Sequence, residues 1–187
     1  MGERKQQILQ KAIKIIANEG YANLGMRALA RASGMKLGAL QYHFRNTEEM
    51  LQGLVGYIAE AYRRSFESLK SDNDQPGIRE IALFILDDSA GDALLGDKLW
   101  PQLWAMELIE PFVGDLLDEL YAEYIELLEK ALEAKGSLAP RAEALCLLSL
   151  IDGSTIFVGS GRRWESDANA VRETVLEFID TRYGEKP

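Results

Sequence analysis

Apolar residues recur along the chain at three- and four-residue spacings, and nowhere do they alternate as in a strand. Ile8, Ala12, Ile15 and Ile16 form one helical stripe between Glu3 and Glu19. Gly20 then suits the left-handed position that ends a helix. A short second helix is predicted from Gly25, its N-cap, and Ser33-Gly34-Met35 reads as a tight turn with Gly34 at positive φ. A third helix is predicted from about Lys36 to His43. Leu29, Ala30, Met35, Leu40 and Phe44 give these elements a small core, and the Tyr21 ring is expected to pack on it. Asn46 can cap a fourth helix, with Glu49 three residues on in a capping-box-like pair. Its stripe of Met50, Leu51, Leu54, Val55, Ile58, Tyr62, Phe66 and Leu69 runs to about Lys70, a rod of ~35 Å. A polar segment, 71–77, follows.

Five more helices are predicted. The first covers about Pro76 to Ser89, with Ile78, Ile81, Ala82, Ile85 and Leu86 inward. The next covers Asp97 to Ile109, with Trp100, Leu103, Trp104 and Leu108 on one side and Pro101 tolerated near its start. Pro111 opens a helix reaching Lys135-Gly136, Pro140 opens one reaching about Gly159, and Asp167 opens one reaching about Tyr183. The fold class expected is all-α, about nine helices, with an N-terminal three-helix domain over 1–46 and a larger helical domain over 47–187. The Pro140 helix is apolar on nearly all sides, which predicts burial all round and, in a chain of this size, a partner. Cys146 lies within it and is expected to be buried and structural.

The net charge of −9 argues at first against nucleic acid. Its distribution reverses that inference. Residues 1–47 carry eight Lys/Arg against two acids, while residues 48–187 carry 13 against 28. A basic head on an acidic body confines any electrostatic footprint on DNA to one end. The single cysteine excludes an internal disulfide and fits a reducing cytoplasm. No signal peptide and no apolar run of ~18 residues is present, so a cytoplasmic location without membrane partners is expected.

The two short helices and their turn, Gly25 to Phe44, have the form of a helix-turn-helix, whose second helix enters a DNA major groove. Arg27, Arg31, Lys36, Gln41, His43 and Arg45 lie among its core positions, and no acid occurs from Ala22 to Thr47. Arg27 suits guanine and Gln41 suits adenine edges. Leu37 and Ala39 can meet thymine methyls, and Gly38 allows close backbone approach. His43 is the only histidine, and no serine or cysteine with a paired acid lies near it, so no catalytic residues, metal site or cofactor are expected. In the body, Trp100, Trp104 and Glu107 share one helix face. With Leu103, Phe84, Asp88, Tyr121, Tyr124 and Asp152 they are candidates for a ligand pocket of aromatic walls and a few acids, suited to a cationic or hydrogen-bond-donating molecule. Core packing for the aromatics and solvated surface for the acids remain the alternatives.

Residues 25–50 resemble the DNA-binding head of TetR-family repressors. Met26-Arg27-Ala28-Leu29-Ala30 is similar to the family's V-R-x-L-A, Ser33-Gly34-Met35 to its A-G-V, and Gly38-Ala39-Leu40-Gln41-Tyr42-His43-Phe44 to its G-T-L-Y-Y-H-F. Asn46-Thr47-Glu48-Glu49-Met50-Leu51 matches the start of the family's fourth helix. The resemblance implies DNA contacts from Met26, Arg27, Lys36, Leu37, Gly38, Ala39, Gln41, Tyr42, His43, Arg45 and Thr47, with Tyr42 and His43 clamping phosphate. It also implies a small-molecule effector, a homodimer through the last two helices, and an operator with half-sites about one DNA turn, ~34 Å, or somewhat more apart. The expected function is a ligand-responsive repressor released from its operator. The alternatives are a helical small-molecule-binding protein without specific DNA binding and a small all-helical enzyme. Leu24, Gly25, Lys36 and Ala39 stand where the family has hydroxyl residues, and Gln41 where it has tyrosine, so the operator implied is not that of a familiar relative. The tryptophan-rich segment 97–135 is similar to that of the branch containing choline- and betaine-responsive regulators.

Overall fold

The computed structural model describes residues 2–72, 75–87, 94 and 96–184. Among these every regular element is helical: α1 (Glu3–Glu19), α2 (Met26–Ala32), α3 (Leu37–His43), α4 (Thr47–Asp72), α5 (Ile78–Leu86), α6 (Gly96–Glu107), α7 (Pro111–Ala134), α8 (Pro140–Val158) and α9 (Ala168–Tyr183), with short 3-10 turns at Tyr21–Asn23 and Glu165–Asp167. The chain forms two compact units. One comprises residues 1–64 and 90–117, the other 65–89 and 118–187.

In the first unit, α1 packs against α2 and α6, and α2 against α3. Ile8, Leu9, Ala12, Ile13, Ile15 and Ile16 of α1 are buried with Leu29, Ala30, Leu40 and Phe44, and with Met50, Leu51, Leu54 and Ile58 of α4. Gly34, at φ 66°, ends α2. Its N–H donates to the Arg31 carbonyl and the Met35 N–H to the Ala30 carbonyl, at 3.1 and 3.0 Å. This is the Schellman arrangement, which satisfies carbonyls that a helix end leaves open. It fixes the angle at which α3 leaves α2. A second glycine acts by size alone: a Cβ on Gly53 would stand 3.0 Å from the Phe44 ring, so α4 approaches Phe44 as closely as it does because residue 53 has no side chain. Lys5 Nζ lies 5.1 Å from the centre of the same ring. At the turn, the Ser33 hydroxyl is buried without a hydrogen-bond partner, a desolvation cost that an alanine there would not incur.

The α4 cap is reciprocal, but shifted by one residue from the expected form. The Glu49 N–H donates to Asn46 Oδ1 at 2.8 Å, while the Glu49 carboxylate accepts from the Arg45 N–H at 3.0 Å. Pro101 falls in the second turn of α6 and not at its start, so the Asp97 carbonyl has no helical donor there.

In the second unit, α9 packs on α5 and α8, and α5 on α8. α5 begins at Ile78, later than expected, because the Glu80 carboxylate accepts from the Gly77 N–H at 2.9 Å and sets the first turn there. Its buried face is Ile78, Ile81, Ala82 and Phe84, whereas Ile85 and Leu86 are half-buried. Phe66, Phe84 and Tyr124 form an aromatic cluster with centroid separations of 5.4, 4.9 and 6.3 Å. α7 ends in a second Schellman turn at Gly136. The expectation that α8 is enclosed on all sides is corrected within the single chain. Ala144, Leu147, Leu148 and Ile151 are buried, but the opposite face presents Leu145, Leu150, Ile156 and Phe157. Cys146 is on that outward face and is exposed, which corrects its expected burial. It shares the face because Cys146, Leu150, Gly153 and Phe157 fall at i, i+4, i+7 and i+11.

Candidate nucleic-acid interface and effector-binding residues

The reading face of the head follows from its core. Burying Leu29, Ala30 and Leu40 turns the other sides of α2 and α3 outward. Arg27, Lys36, Gly38, Ala39, Gln41, Tyr42, Arg45 and Thr47 are exposed, while Met26, Leu37 and His43 are half-buried. Tyr42 is 88% exposed, unusually so for a large aromatic ring. The His43 ring meets it edge-on, centroids 5.6 Å apart. Lys36 is the N-cap of α3, so Lys36 to Ala39 form its N-terminal end, the end that meets base edges in helix-turn-helix proteins. The cations on this surface, Arg27, Arg31, Lys36 and Arg45, have no ion pair within the described residues. They are available to phosphate or base.

The candidate effector residues divide between the two units. Asp88 lies outside the described residues. In the first unit, Trp100 and Trp104 stack on successive turns of α6, centroids 6.3 Å apart, and Trp100 meets the buried Tyr62 ring edge-on at 5.5 Å. Leu103 is buried and Glu107, the last residue of α6, is exposed. In the second unit, Phe84 and Tyr124 belong to the aromatic cluster with Phe66. Asp152 on α8 is hydrogen-bonded by Tyr121 on α7, and burial pushes its carboxyl up to about 6 despite that bond. An open groove of about 480 Å³ also lies in this unit, lined by Arg79, Glu173, Leu176, Glu177, Asp180 and Thr181, and includes none of the candidates. Among the described residues no three His, Cys, Asp or Glu side chains gather to hold a metal.

The shift at Asp152 has a consequence for stability. The folded protein holds a proton that the unfolded chain releases near 3.8, so this group's contribution is complete below about pH 4 and is lost as pH rises through about 6. Asp152→Asn keeps the shape and cannot ionise. It is expected to stabilise the protein at pH 7 by about 2–3 kcal/mol and to flatten the pH dependence between 4 and 6. Thermal melts of both proteins across that range check this.

Two features escaped the sequence reading. Phe66 and Tyr62 complete the aromatic clusters from α4. Tyr21 is half-buried, and its hydroxyl donates to Glu110, while its N–H donates to Gln102 Oε1 at 3.2 Å. Burial and Glu110 together push the Tyr21 hydroxyl up to about 12.

Residues 8–54 match the family model for bacterial regulatory proteins of the tetR family. The match covers the helix-turn-helix, its brace α1 and the start of α4. The head of the chain is thus similar to that of tetR-family regulators. The chain is 25% identical over 164 residues to the HTH-type nicotine-responsive transcriptional repressor HdnoR of Paenarthrobacter nicotinovorans, covering 82% of each chain. It is 24% identical over 188 residues to the HTH-type transcriptional regulator BetI of Pseudomonas fluorescens, covering 95% of this chain and 91% of that one. Its fold is shared with a transcriptional regulator from Saccharomonospora viridis crystallised in complex with choline, at a TM-score of 0.74, 22% identity and full coverage of both chains. The matched head and the relatives that align over most of the chain support a DNA-binding transcriptional regulator. No described helix is long and apolar enough to cross a membrane.

Proposed function

We propose that this chain is a TetR-family regulator, a homodimeric, cytoplasmic repressor that reads a two-fold operator with residues 26–47 and is released by a small organic cation. It acts by binding and has no catalytic role. The observation that carries the DNA reading is the head surface: an exposed Tyr42, Gln41 and four unpaired cations, held over a fully buried core. Arg27 and Gln41 are assigned to bases, and Lys36, Arg45, Tyr42, His43 and Thr47 to phosphate, with Met26, Leu37, Gly38 and Ala39 forming the close apolar contact.

Dimerisation is assigned to α8 and α9. Leu145, Leu150, Ile156 and Phe157 on α8 and Phe178 on α9 are 43 to 57% exposed. Gly153 lies among them with nothing within 4 Å of its added Cβ, which favours a helix packed close against this face. Effector binding is assigned within each unit: in the second to Asp152, Tyr121, Tyr124 and Phe84, in the first to Trp100, Trp104, Leu103 and Glu107. Burial raises the Asp152 carboxyl to about 6, so its charge at neutral pH is poorly solvated, and an arriving cation offsets that cost. Aromatic faces attract the same cation. The nicotine-responsive relative and the choline-bound neighbour agree with that class of molecule. α4 is continuous from the head into the second unit, so its displacement is the proposed route to altered head spacing. How far DNA binding weakens is set by the effector's differential affinity for the two states.

The test is a mobility shift on DNA upstream of the protein's own gene, with choline and nicotine as probes. A salt-dependent shift that either cation reverses, but not in Asp152→Asn, is expected. A shift unaffected by organic cations, with no thermal stabilisation by them, would refute the effector assignment.

A further inference from the structure

α6 has two faces with different partners. Trp100 and Trp104 lie within about 40° of each other around the helix, as do Lys98 and Gln102, and the two pairs point about 160° apart. The tryptophans carry the proposed effector contact. The polar pair faces the end of α1: Lys98 Nζ donates to Asn18 Oδ1 at 3.4 Å, and Gln102 Oε1 accepts from the Tyr21 N–H. Just past the end of α6, Glu110 accepts from the Tyr21 hydroxyl. Three contacts thus join one short stretch of the head, Asn18 to Tyr21, to α6 and its exit. All of them lie in the first unit.

That stretch is mechanically close to the reading surface. Tyr21 opens the 3-10 turn Tyr21–Asn23, and the chain passes through buried Leu24 to Gly25, the N-cap of α2. Arg27 is six residues from Tyr21. Gly20, at φ 87°, turns the chain sharply between α1 and Tyr21, so Tyr21 is held by Gln102 and Glu110 on one side and leads within four residues into the N-cap of α2 on the other. A rigid helix moved on its aromatic face must carry its polar face with it. The contacts on that face are partly exposed hydrogen bonds, which open and close more readily than packed core.

We propose that Tyr21, Gln102 and Glu110 form a latch that transmits the state of the Trp100–Trp104 face directly to α2, independently of the α4 route. The inference rests on the reading that this face meets the effector, but its test requires neither effector nor operator. Hydrogen exchange over residues 21–45 is measured in the wild type, in Trp104→Ala, in Tyr21→Phe and in the double variant. Tyr21→Phe keeps the ring and removes only the bond to Glu110. The latch predicts that Trp104→Ala speeds exchange over 21–45 by about fivefold or more with Tyr21 intact, and by less than about twofold in the Tyr21→Phe background, a coupling that a double-variant cycle isolates. Gln102→Ala is expected to suppress the response in the same way. If Trp104→Ala folds poorly, Trp104→Phe gives the same comparison. A merely structural Tyr21 would speed head exchange yet leave the Trp104 response in place. Either that result, or no response to Trp104 substitution at all, overturns the latch. Failure of the DNA reading shows separately, as a wild-type protein that binds no operator.

Discussion

Replacing Leu150 and Phe157 together by glutamate is expected to leave the protein monomeric. Both side chains stand on the outward face of α8, 43% and 57% exposed in the single chain. Covering such half-exposed side chains contributes about 1 kcal/mol each. An ionised carboxylate in the covered face costs several kcal/mol. In a two-fold interface each substitution enters twice. The dimer dissociation constant should therefore rise by at least about 10³-fold, since each 1.4 kcal/mol is a factor of about ten. The fold of the single chain should survive, because Ala144, Leu147, Leu148 and Ile151 on the opposite face keep the core. Sedimentation velocity with circular dichroism separates the two outcomes. A variant that stays dimeric would move the interface elsewhere, and one that unfolds would mean the face is internal.

Arg27→Ala and Gln41→Ala are expected to change which DNA is bound, not merely how tightly. A bidentate side chain–base pair is worth about 1–3 kcal/mol of discrimination, and a two-fold operator contains it twice. Each variant should lose about 30-fold to 10⁴-fold in affinity for the intact operator, with relaxed preference at one symmetric pair of positions. Lys36→Ala should behave differently. It removes a phosphate contact, so affinity falls alike on all sequences and the salt slope drops by about one per head. Fluorescence anisotropy on the operator and on single-base variants, at several salt concentrations, distinguishes the two patterns. If Arg27 and Gln41 variants lose affinity uniformly, these residues hold the backbone and the bases are read by others.

The helices were legible because their apolar spacing is regular, and the head because its turn chemistry is local. Gly34, Met35 and Asn46 act on neighbours within five residues, and a sequence displays such relations directly. The reciprocal cap of Glu49 was visible, though its partner proved to be the Arg45 N–H. What escaped is non-local. Tyr21 and Glu110 are 89 positions apart, and Gln102 reaches a backbone N–H, which no side-chain pattern announces. Gly53 lies against the Phe44 ring nine residues away, a closeness that no local pattern around it displays. The misjudged exposure of Cys146 has a related cause. A helix apolar all round says that both faces are to be covered, not that one chain covers them, and here one face of α8 is left open by the chain alone.

The proposed repressor depends on a basic head, on an otherwise acidic protein, recognising a particular sequence. Selection of bound DNA from a random pool, followed by titration of the winning sequence and a scrambled one at physiological salt, tests it most directly. The expected result is a near-palindrome with half-sites about one turn or somewhat more apart, bound at least about 10³-fold more tightly than the scramble. Equal affinity for the two sequences, falling steeply with salt, would contradict it.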